Sequence, residues 1–314
     1  MPRNIAILVQ DETMANQGFL QAFAQQGNEV TCVVCNDLLP VALQMAKPDF
    51  AIVNGNAWHE AGDAQELLDS MGIPYLGAGA ATIRRCRDAA QLSYIIEEAL
   101  AQGSIDAGKV KQLTLAPSVQ GALLQTGQLS SIVANTFAPG EPLTLRADGA
   151  EFLNPGVAVQ DQKELSEALI AFKDAGRRAI VRPQIKGVEL IVCIMGDLSD
   201  ILILPPIEVK GALDDSSMWQ VPVDMQSLAD DEQDAQAIRS EVERCALDAF
   251  LACGCRDFAC VRLVWDGGCA RVLDVDAAPS LSQGSPIMAA LTAADINLAE
   301  LACEFCEIAD ETLL

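Results

Sequence analysis

The first third of the chain alternates short apolar runs with amphipathic segments, and this alternation constrains the fold more than any other feature. NIAILV at 4–9, EVTCVV at 29–34 and DFAIV at 49–53 have the apolar character of strands. Helical patterns separate them at 17–26 and 39–46. Because strands that alternate with helices are typical of βαβ units, we predict a parallel α/β sheet in this part of the chain.

The middle of the chain mixes short strands with helices. The apolar spacing predicts one helix over Arg84–Leu100, which would end before Gly103. SSIVA at 130–134 is predicted to be one of several short strands, and a long helix is predicted over Asp231–Ala252. These patterns indicate an α+β region after the first domain.

A hairpin is predicted within the run Phe258–Pro286, where Asp266-Gly267-Gly268 separates two alternating apolar segments. Asp-Gly between such segments is a strong hairpin signal. Asp274 and Asp276 stand two residues apart on the second strand, so their carboxylates share one face of it. Arg262 stands roughly opposite them on the first strand.

Two interpretations of these three residues stay open. Converging carboxylates are what a magnesium ion requires of its protein ligands. A guanidinium group can instead neutralise both carboxylates without a metal, since unit charges about 4 Å apart interact by ~4 kcal/mol at an effective dielectric constant of 20. The first interpretation predicts a magnesium site at Asp274 and Asp276, and the second predicts a buried ion-pair cluster with Arg262.

Charge and composition restrict the partners and the compartment. The 314 residues carry 44 acidic and 20 basic side chains, a net charge of -24, which repels nucleic acid and anionic membranes. This charge leads us to expect no nucleic-acid partner. We also expect no membrane partner, because no apolar run is long enough to span a membrane and we identify no signal peptide. Eleven cysteines in apolar segments favour a reducing, cytoplasmic location. A single histidine argues against a His-rich zinc site and a Ser-His-Asp triad.

Four segments together resemble the D-alanine–D-alanine ligases, which belong to the ATP-grasp superfamily. They are VNGNAWHEAGDAQELLDSMGIP, GIPYLGAG, KGVELIVCIMGD and VLDVDAAPSLSQGSP, in the family's order and spacing over nearly the whole chain. The resemblance implies an α/β and α+β chain with a three-domain ATP-grasp fold: an N-terminal parallel α/β domain at 1–84, a central subdomain at 85–174 and a C-terminal subdomain at 175–314. It also implies a homodimer.

The family reaction, as the resemblance implies it, joins two amino acids during peptidoglycan precursor synthesis. ATP phosphorylates the carboxylate of the first amino acid, and the amine of the second attacks the acyl phosphate. Such chemistry depends on positioning and on neutralising phosphate charge with magnesium, lysine and arginine. ATP and magnesium are therefore the implied cofactors, and an amino acid and a nucleotide are the implied partners.

The resemblance also assigns roles to residues. Glu60 and Gln17 would bind the amino acid, and Asp274 with Asp276 would bind magnesium. The nucleotide positions are Arg146, which replaces a lysine, Arg182, Gln184 and Ile185 in the adenine hinge, and Glu189 at the ribose. Other readings stay open: Glu60 as a solvated loop acid, Arg146 as a surface residue, and Glu189 as the partner of an arginine rather than of ribose.

Several positions of the family's chemistry are substituted. Ala89 stands where a lysine would touch phosphate, and Gly55 replaces a histidine. Cys260 and Ser282 occupy catalytic positions, and Cys260 replaces an arginine that stabilises the transferring phosphoryl group. Arg262 stands at a metal-binding aspartate, and GAEFLNPG at 149–156 replaces a loop rich in serine and glycine.

Two functions remain open at this point. One is a divergent ATP-dependent carboxylate–amine ligase. The other is a catalytically inactive relative that keeps the fold as a binding or assembly module. An active ligase predicts a metal pocket lined by carboxylates, whereas an inactive relative predicts the same pocket filled by Arg262.

Overall fold

Three separate β-sheets form the framework of the protein in a computed structural model. The structure describes residues 2–55, 58–59, 61–105, 107–148, 156–196, 200–210 and 219–312. Glu60 and most of the loop at 149–156 lie outside the described residues.

The first sheet is parallel, as the alternation of strands and helices predicted. Its strands are β1 (Asn4–Val9), β2 (Glu29–Val34), β3 (Phe50–Val53) and β4 (Tyr75–Leu76), in the order β2-β1-β3-β4. The helices that connect them are α1 (Gln17–Gln25), α2 (Leu39–Ala46) and α3 (Asp63–Met71). The parallel α/β prediction for this region is confirmed.

The single helix predicted over Arg84–Leu100 is wrong, because the chain forms two helices there. They are α4 (Ala80–Arg87) and α5 (Ala89–Ala101). Asp88 leaves the helical conformation at ψ 105° and accepts hydrogen bonds from the backbone N–H groups of the next helix. It is therefore the N-cap of α5, a role that short acidic side chains favour.

The central sheet is antiparallel. Its strands are β5 (Leu113–Leu115), β6 (Leu143–Ala147), β7 (Val157–Val159) and β8 (Ala179–Pro183), in the order β5-β8-β6-β7. Helices α6 (Pro117–Thr126), α7 (Leu129–Thr136) and α8 (Gln162–Asp174) accompany it. The strand predicted at 130–134 is wrong: this run lies in α7, where Ile132 and Val133 pack on the core of the central sheet. Periodicity alone does not separate such a short apolar run from a helix.

The third sheet is antiparallel and contains the predicted hairpin. Its strands are β9 (Val188–Gly196), β10 (Ile201–Ile203), β11 (Ile207–Lys210), β12 (Trp219–Pro222), β13 (Asp257–Trp265) and β14 (Ala270–Asp276). The order is β12-β11-β9-β13-β14, with β10 on the free part of β9. The helices of this region are α9 (Glu232–Cys253), α10 (Pro286–Ala293) and α11 (Leu298–Thr312).

The third sheet is buried on both faces. One face packs against α9, with Val192 and Val261 in that core. The opposite face packs against α10, α11 and the first sheet, with Phe258 and Phe305 stacked at 5.4 Å between ring centroids. Strand β8 belongs to the central sheet, although it lies within the range 175–314 predicted for the C-terminal subdomain. The domain limits inferred from the sequence stay a prediction.

Among the described helices, none alone is long and apolar enough to cross a membrane. Helix α10 and the segment 298–307 of α11 pass that test only together, as a pair bent by 109°.

Candidate functional site

Five charged side chains meet where the central sheet faces the third sheet. The central sheet contributes two arginines, Arg146 on β6 and Arg182 on β8. The third sheet contributes Glu189, Arg262 and Asp274, from β9, β13 and β14. We call these five residues the arginine cluster.

Strand register brings the cluster together. Arg262 pairs with Asp274 across the hairpin, as predicted, and with Ile191 on the other neighbouring strand. Since side chains two apart on a strand share a face, Glu189 on β9 lies on the same face as Arg262. In the central sheet Thr144 pairs with Arg182, and Arg146 lies two residues further along the same strand. Each sheet therefore presents its charged side chains on one face.

Asp274 is the centre of the cluster. Its Oδ2 atom lies 2.5 Å from Nη1 of Arg146, and its Oδ1 atom lies 3.6 Å from Nη2 of Arg182. Nη1 of Arg262 lies 3.8 Å from Oδ2 of the same carboxylate. Three guanidinium groups thus surround one carboxylate.

Arg262 also forms a close ion pair that the sequence reasoning left as one of two alternatives. Its Nε donates a hydrogen bond to Oε1 of Glu189. We expected the guanidinium of Arg262 within hydrogen-bonding reach of Asp274 or Asp276, but its closest described carboxylate is that of Glu189. Glu189 was interpreted as a partner either of ribose or of an arginine, and in the structure it contacts an arginine.

The arginines that were assigned to the nucleotide are buried. Arg146 and Arg182 are each only 8% exposed, so the surface reading of Arg146 is wrong. Nη1 of Arg182 donates to the carbonyl of Leu273 at 3.1 Å. Both arginines thereby connect the central sheet to β14.

Burial and neighbouring charges shift the pKa values of Asp274 and Arg182. Burial raises the pKa of Asp274, but Arg146, Arg182 and Arg262 outweigh it and hold that pKa below its usual range. Burial lowers the pKa of Arg182, and the charges of Arg146 and Arg262 lower it further against the attraction of Asp274. The five residues that define the cluster are three arginines and two carboxylates.

Asp276 has a different environment from Asp274. It is half-buried at the end of β14 and accepts a hydrogen bond from the backbone N–H of Ala278 at 3.1 Å. Burial raises the pKa of Asp276 to about 6, against the hydrogen bond from Ala278 and the charge of Arg87. The two aspartates of the predicted metal pair are thus in opposite electrostatic surroundings.

The residues present do not suit a magnesium ion. Magnesium binds through carboxylates that face it together with water or phosphate oxygens. Here Asp274 faces guanidinium groups, one of them within 4 Å on the same hairpin. Within the described ranges no group of three or more His, Cys, Asp or Glu side chains is arranged to hold a metal ion.

A small cavity borders the cluster beneath α5. It holds about 30 Å³ and is lined in part by Ala89, Gln112, Arg182, Leu273 and Asp274. That volume equals roughly one water molecule, whereas pockets for small molecules measure about 300–1,000 Å³. Ala89, where the resemblance expects a lysine, therefore lines a space of water size.

The other predicted site residues are scattered. Cys260 is fully buried, with its Sγ atom 2.9 Å from Sγ of Cys193 on the neighbouring strand, in the core shared with the first sheet. Gln17 is exposed at the start of α1. Gln184 is exposed and Ile185 half-buried in the loop after β8. None of these four side chains has a described contact with the arginine cluster.

Asn54 is a site residue that the sequence reasoning did not single out. It is 3% exposed at the carboxyl end of β3. Its Oδ1 accepts hydrogen bonds from the backbone N–H of Leu281 at 2.6 Å and from Oγ of Ser280 at 3.2 Å. Its Nδ2 donates to Oγ of Ser282 at 3.1 Å. Asn54 thus fixes the loop after β14, including Ser282, to the first sheet.

The residues just described belong to a chain with clear relatives, although no protein-family model matches it. The D-alanine–D-alanine ligase of Desulforudis audaxviator is 27% identical over 257 residues, which cover 80% of this chain and 78% of the relative. That of Chlorobaculum tepidum is 24% identical over 92% of this chain and 77% of its own. Over most of its length this chain is similar to D-alanine–D-alanine ligases at 24–28% identity, which supports a divergent relative of that family.

Solved structures support the family's fold. The D-alanine–D-alanine ligase of Bacillus anthracis complexed with ATP superimposes with a TM-score of 0.72 at 18% identity, covering 98% of this chain and 97% of that one. The VanG D-Ala:D-Ser ligase of Enterococcus faecalis gives a TM-score of 0.71 at 14% identity, covering 98% and 100%. The predicted ATP-grasp fold is therefore confirmed.

Proposed function

We propose that this chain is a catalytically inactive member of its family, one that keeps the ATP-grasp fold as a binding module. The observation that carries the proposal is the state of Asp274. In the family's reaction this position would present a negative charge to magnesium. In this chain the carboxylate already has the charges of Arg146, Arg182 and Arg262 within 4 Å.

Electrostatics supports this reading. Arg262 would stand beside any cation bound between Asp274 and Asp276 and would repel it, at ~4 kcal/mol for unit charges about 4 Å apart at an effective dielectric constant of 20. Removing Arg262 from the site would require breaking its ion pair with Glu189 inside the protein. A metal would thus compete against two existing interactions.

Other losses affect the same step. Ala89 carries no charge, and Cys260 is a buried thiol rather than a guanidinium group. Losing one electrostatic stabiliser of a transition state costs about 10²–10³ in rate. Several such losses together leave little of the phosphoryl-transfer chemistry.

A divergent active ligase is the second candidate, and one observation favours it. Arg146, at the family's phosphate lysine, keeps its positive charge and lies between the two sheets where the cluster forms. The curated relatives described above are all named as ligases. In that case Arg146 and Glu189 would hold ATP, and an amino acid and magnesium would enter beside Asp276.

D-alanine-dependent release of phosphate separates the two candidates. The purified chain is assayed with millimolar magnesium, ATP and D-alanine, beside an active ligase of the family and the Asp274→Ala variant. We expect the parent chain and the variant to release phosphate at the same background rate. Robust release that rises with D-alanine and disappears in Asp274→Ala would contradict the proposal.

We also propose the domain limits 1–84, 85–174 and 175–314 for this chain. Limited proteolysis at the junctions between these ranges tests them.

A further inference from the structure

Two thiols face each other at the centre of the third sheet. Cys193 on β9 pairs directly with Cys260 on β13, and both residues are fully buried. Their Sγ atoms lie 2.9 Å apart, whereas the two sulfur atoms of a disulfide bond lie about 2.0 Å apart. Both cysteines are free thiols in the structure, and neither belongs to the arginine cluster.

The type of strand pairing decides whether two such thiols can bond. In an antiparallel sheet, paired residues that exchange no hydrogen bonds lie closer together, at about 4.5 Å between Cα atoms, than pairs that exchange two. The carbonyl of Cys193 accepts a hydrogen bond from the N–H of Leu204, directly after β10, on the side of β9 away from β13. Since the N–H and C=O of a strand residue point to the same side, Cys193 and Cys260 form the closer type of pair.

A disulfide bond fits this geometry. Disulfides join residues whose Cα atoms lie about 4.4–6.8 Å apart, and the closer type of antiparallel pair lies within that range. The two Sγ atoms need to approach each other by only about 1 Å to reach bonding distance. The bond can therefore form without a change in the register of β9 and β13.

We propose that Cys193 and Cys260 are a modification site, at which a disulfide bond joins β9 to β13 when the chain meets a small-molecule disulfide such as oxidised glutathione. One cysteine loses its proton, attacks the S–S bond of the oxidant and forms a mixed disulfide, releasing one glutathione thiol. The other cysteine loses its proton, attacks the protein sulfur of that mixed disulfide and releases the second glutathione thiol. Two protein thiols are thus oxidised, and one glutathione disulfide is reduced to two thiols.

Burial determines when this exchange can occur. Both cysteines lie in the core that the third sheet shares with the first sheet, and both are 0% exposed. A molecule as large as glutathione reaches them only while that core is open, either during folding or in local opening of the folded chain. The closed core then protects the finished bond from reductants in the same way.

The disulfide bond fixes two strands that also carry part of the arginine cluster. Arg262 lies two residues after Cys260 on β13, and Glu189 lies four residues before Cys193 on β9, so the four side chains share one face. A fixed register of β9 against β13 holds the ion pair of Arg262 with Glu189 in place. The two cysteines are 67 positions apart, so the bond also restricts the unfolded chain and stabilises the folded one. This role is independent of catalysis and goes beyond the proposed function.

Peptide mapping tests the proposal, because trypsin places each of the two cysteines in a peptide with no other cysteine, 187–210 and 257–262. The full chain is incubated with oxidised glutathione in urea just below its unfolding midpoint, where opening is frequent, and the remaining thiols are alkylated. We expect mass spectrometry to find the two peptides joined by a bond that dithiothreitol breaks. Without urea, the bond should form about tenfold more slowly, because the core opens less often.

Two alanine variants separate this pair from the other cysteines. Cys193→Ala cannot form the bond, so oxidation should leave its urea midpoint unchanged. Cys245→Ala removes a buried thiol of α9 from the core on the opposite face of the sheet, and it should form the bond as the parent does. In the parent and in Cys245→Ala, oxidation should raise the urea midpoint by about 1 M. Should Cys193→Ala fail to fold, peptide mapping of the parent chain decides the question alone.

Three results would overturn the proposal. One is oxidation of the exposed thiols Cys32 and Cys303 without any bond between the two peptides. Another is a bond from Cys86 to Cys253 or Cys255, in the core on the opposite face, in place of the predicted one. The third is a bond between the two peptides that lowers the urea midpoint, because the bond would then distort the sheet. None of these results changes the outcome of the phosphate-release assay, so a failure here leaves the proposed function in place.

Discussion

The third sheet contacts each of the other two sheets, and the two junctions differ in the side chains that form them. Towards the first sheet it contributes apolar side chains such as Phe258, and the loop after β14 adds Leu281. Asn54, at the end of β3, is a neutral polar connection between that loop and the first sheet. Towards the central sheet it contributes Glu189, Arg262 and Asp274, which meet two more arginines. The first junction is fixed by packing and the second by charge.

The difference matters because the two kinds of contact respond to different changes. Apolar burial contributes roughly 25 cal/mol per Å² and involves no charge that a bound ion could neutralise. Buried ion pairs lose much of their attraction to desolvation, and removing one partner is costly. We therefore expect the charged junction to be the one that a ligand can rearrange, and the apolar junction to hold the chain together.

Removing Arg262 should have the largest effect on the charged junction. Arg262→Ala leaves Glu189 without the guanidinium group that it contacts, and removes one of three positive charges around Asp274. We expect the free energy of unfolding to fall by ~3–5 kcal/mol, as for other buried pairs that lose one partner. Urea unfolding of the parent and the variant measures the change.

Arg239→Ala, on the exposed side of α9, is the matched control and should unfold like the parent. If Arg262→Ala were as stable as that control, the cluster would contribute nothing to the junction. The contrast between the two junctions would then fail.

A smaller loss is expected at the apolar junction when its polar connection is removed. Asn54→Ala takes away the acceptor of the buried Leu281 N–H and the donor to Ser282. An unsatisfied buried group costs ~1–3 kcal/mol, and the apolar contacts around it remain. Guanidinium unfolding should show this loss with an unchanged dependence on denaturant. A change above that range would mean that Asn54, rather than packing, holds this junction.

The smallest effect concerns Asp276 and depends on pH. Its pKa is about 6 in the folded chain against 3.8 as the ordinary value, so its contribution to stability is full below pH 3.8 and is lost as the pH rises through 6. Asp276→Asn removes this loss. Because the carboxylate is only half-buried, we expect the variant to exceed the parent by ~1–2 kcal/mol at pH 7.5 and to match it near pH 4. A constant difference across that range would show that Asp276 does not titrate as described.

The sequence predicted the framework of the molecule well where a local signal exists. The turn at Asp266-Gly267-Gly268 predicted the hairpin of β13 and β14 and the placement of Arg262 opposite Asp274. The strand at 130–134 was wrong because a short apolar run fits a helix equally well, and packing on the central sheet decides between them.

The cluster itself was only partly predictable. Glu189 lies 73 residues from Arg262 in the sequence, and only the pairing of β9 with β13 brings them together. Arg182 was assigned to an adenine hinge. Its side chain instead contacts Asp274, because the central sheet and the third sheet face each other at this point. Asn54 had a weak signal, a polar residue directly after an apolar strand at its carboxyl end, where functional side chains often lie.

Whether Asp274 binds a manganese ion is the most direct test of the claim that arginine side chains occupy the place of the metal. Free Mn²⁺ is followed by electron paramagnetic resonance as it is added, with ATP present, to the parent chain and to Asp274→Ala. The acidic surface binds some manganese in both, so the difference between the two isotherms is the result of interest. We predict that the isotherms coincide. One additional bound Mn²⁺ in the parent, absent from Asp274→Ala, would contradict a cleft in which guanidinium groups occupy the place of the metal.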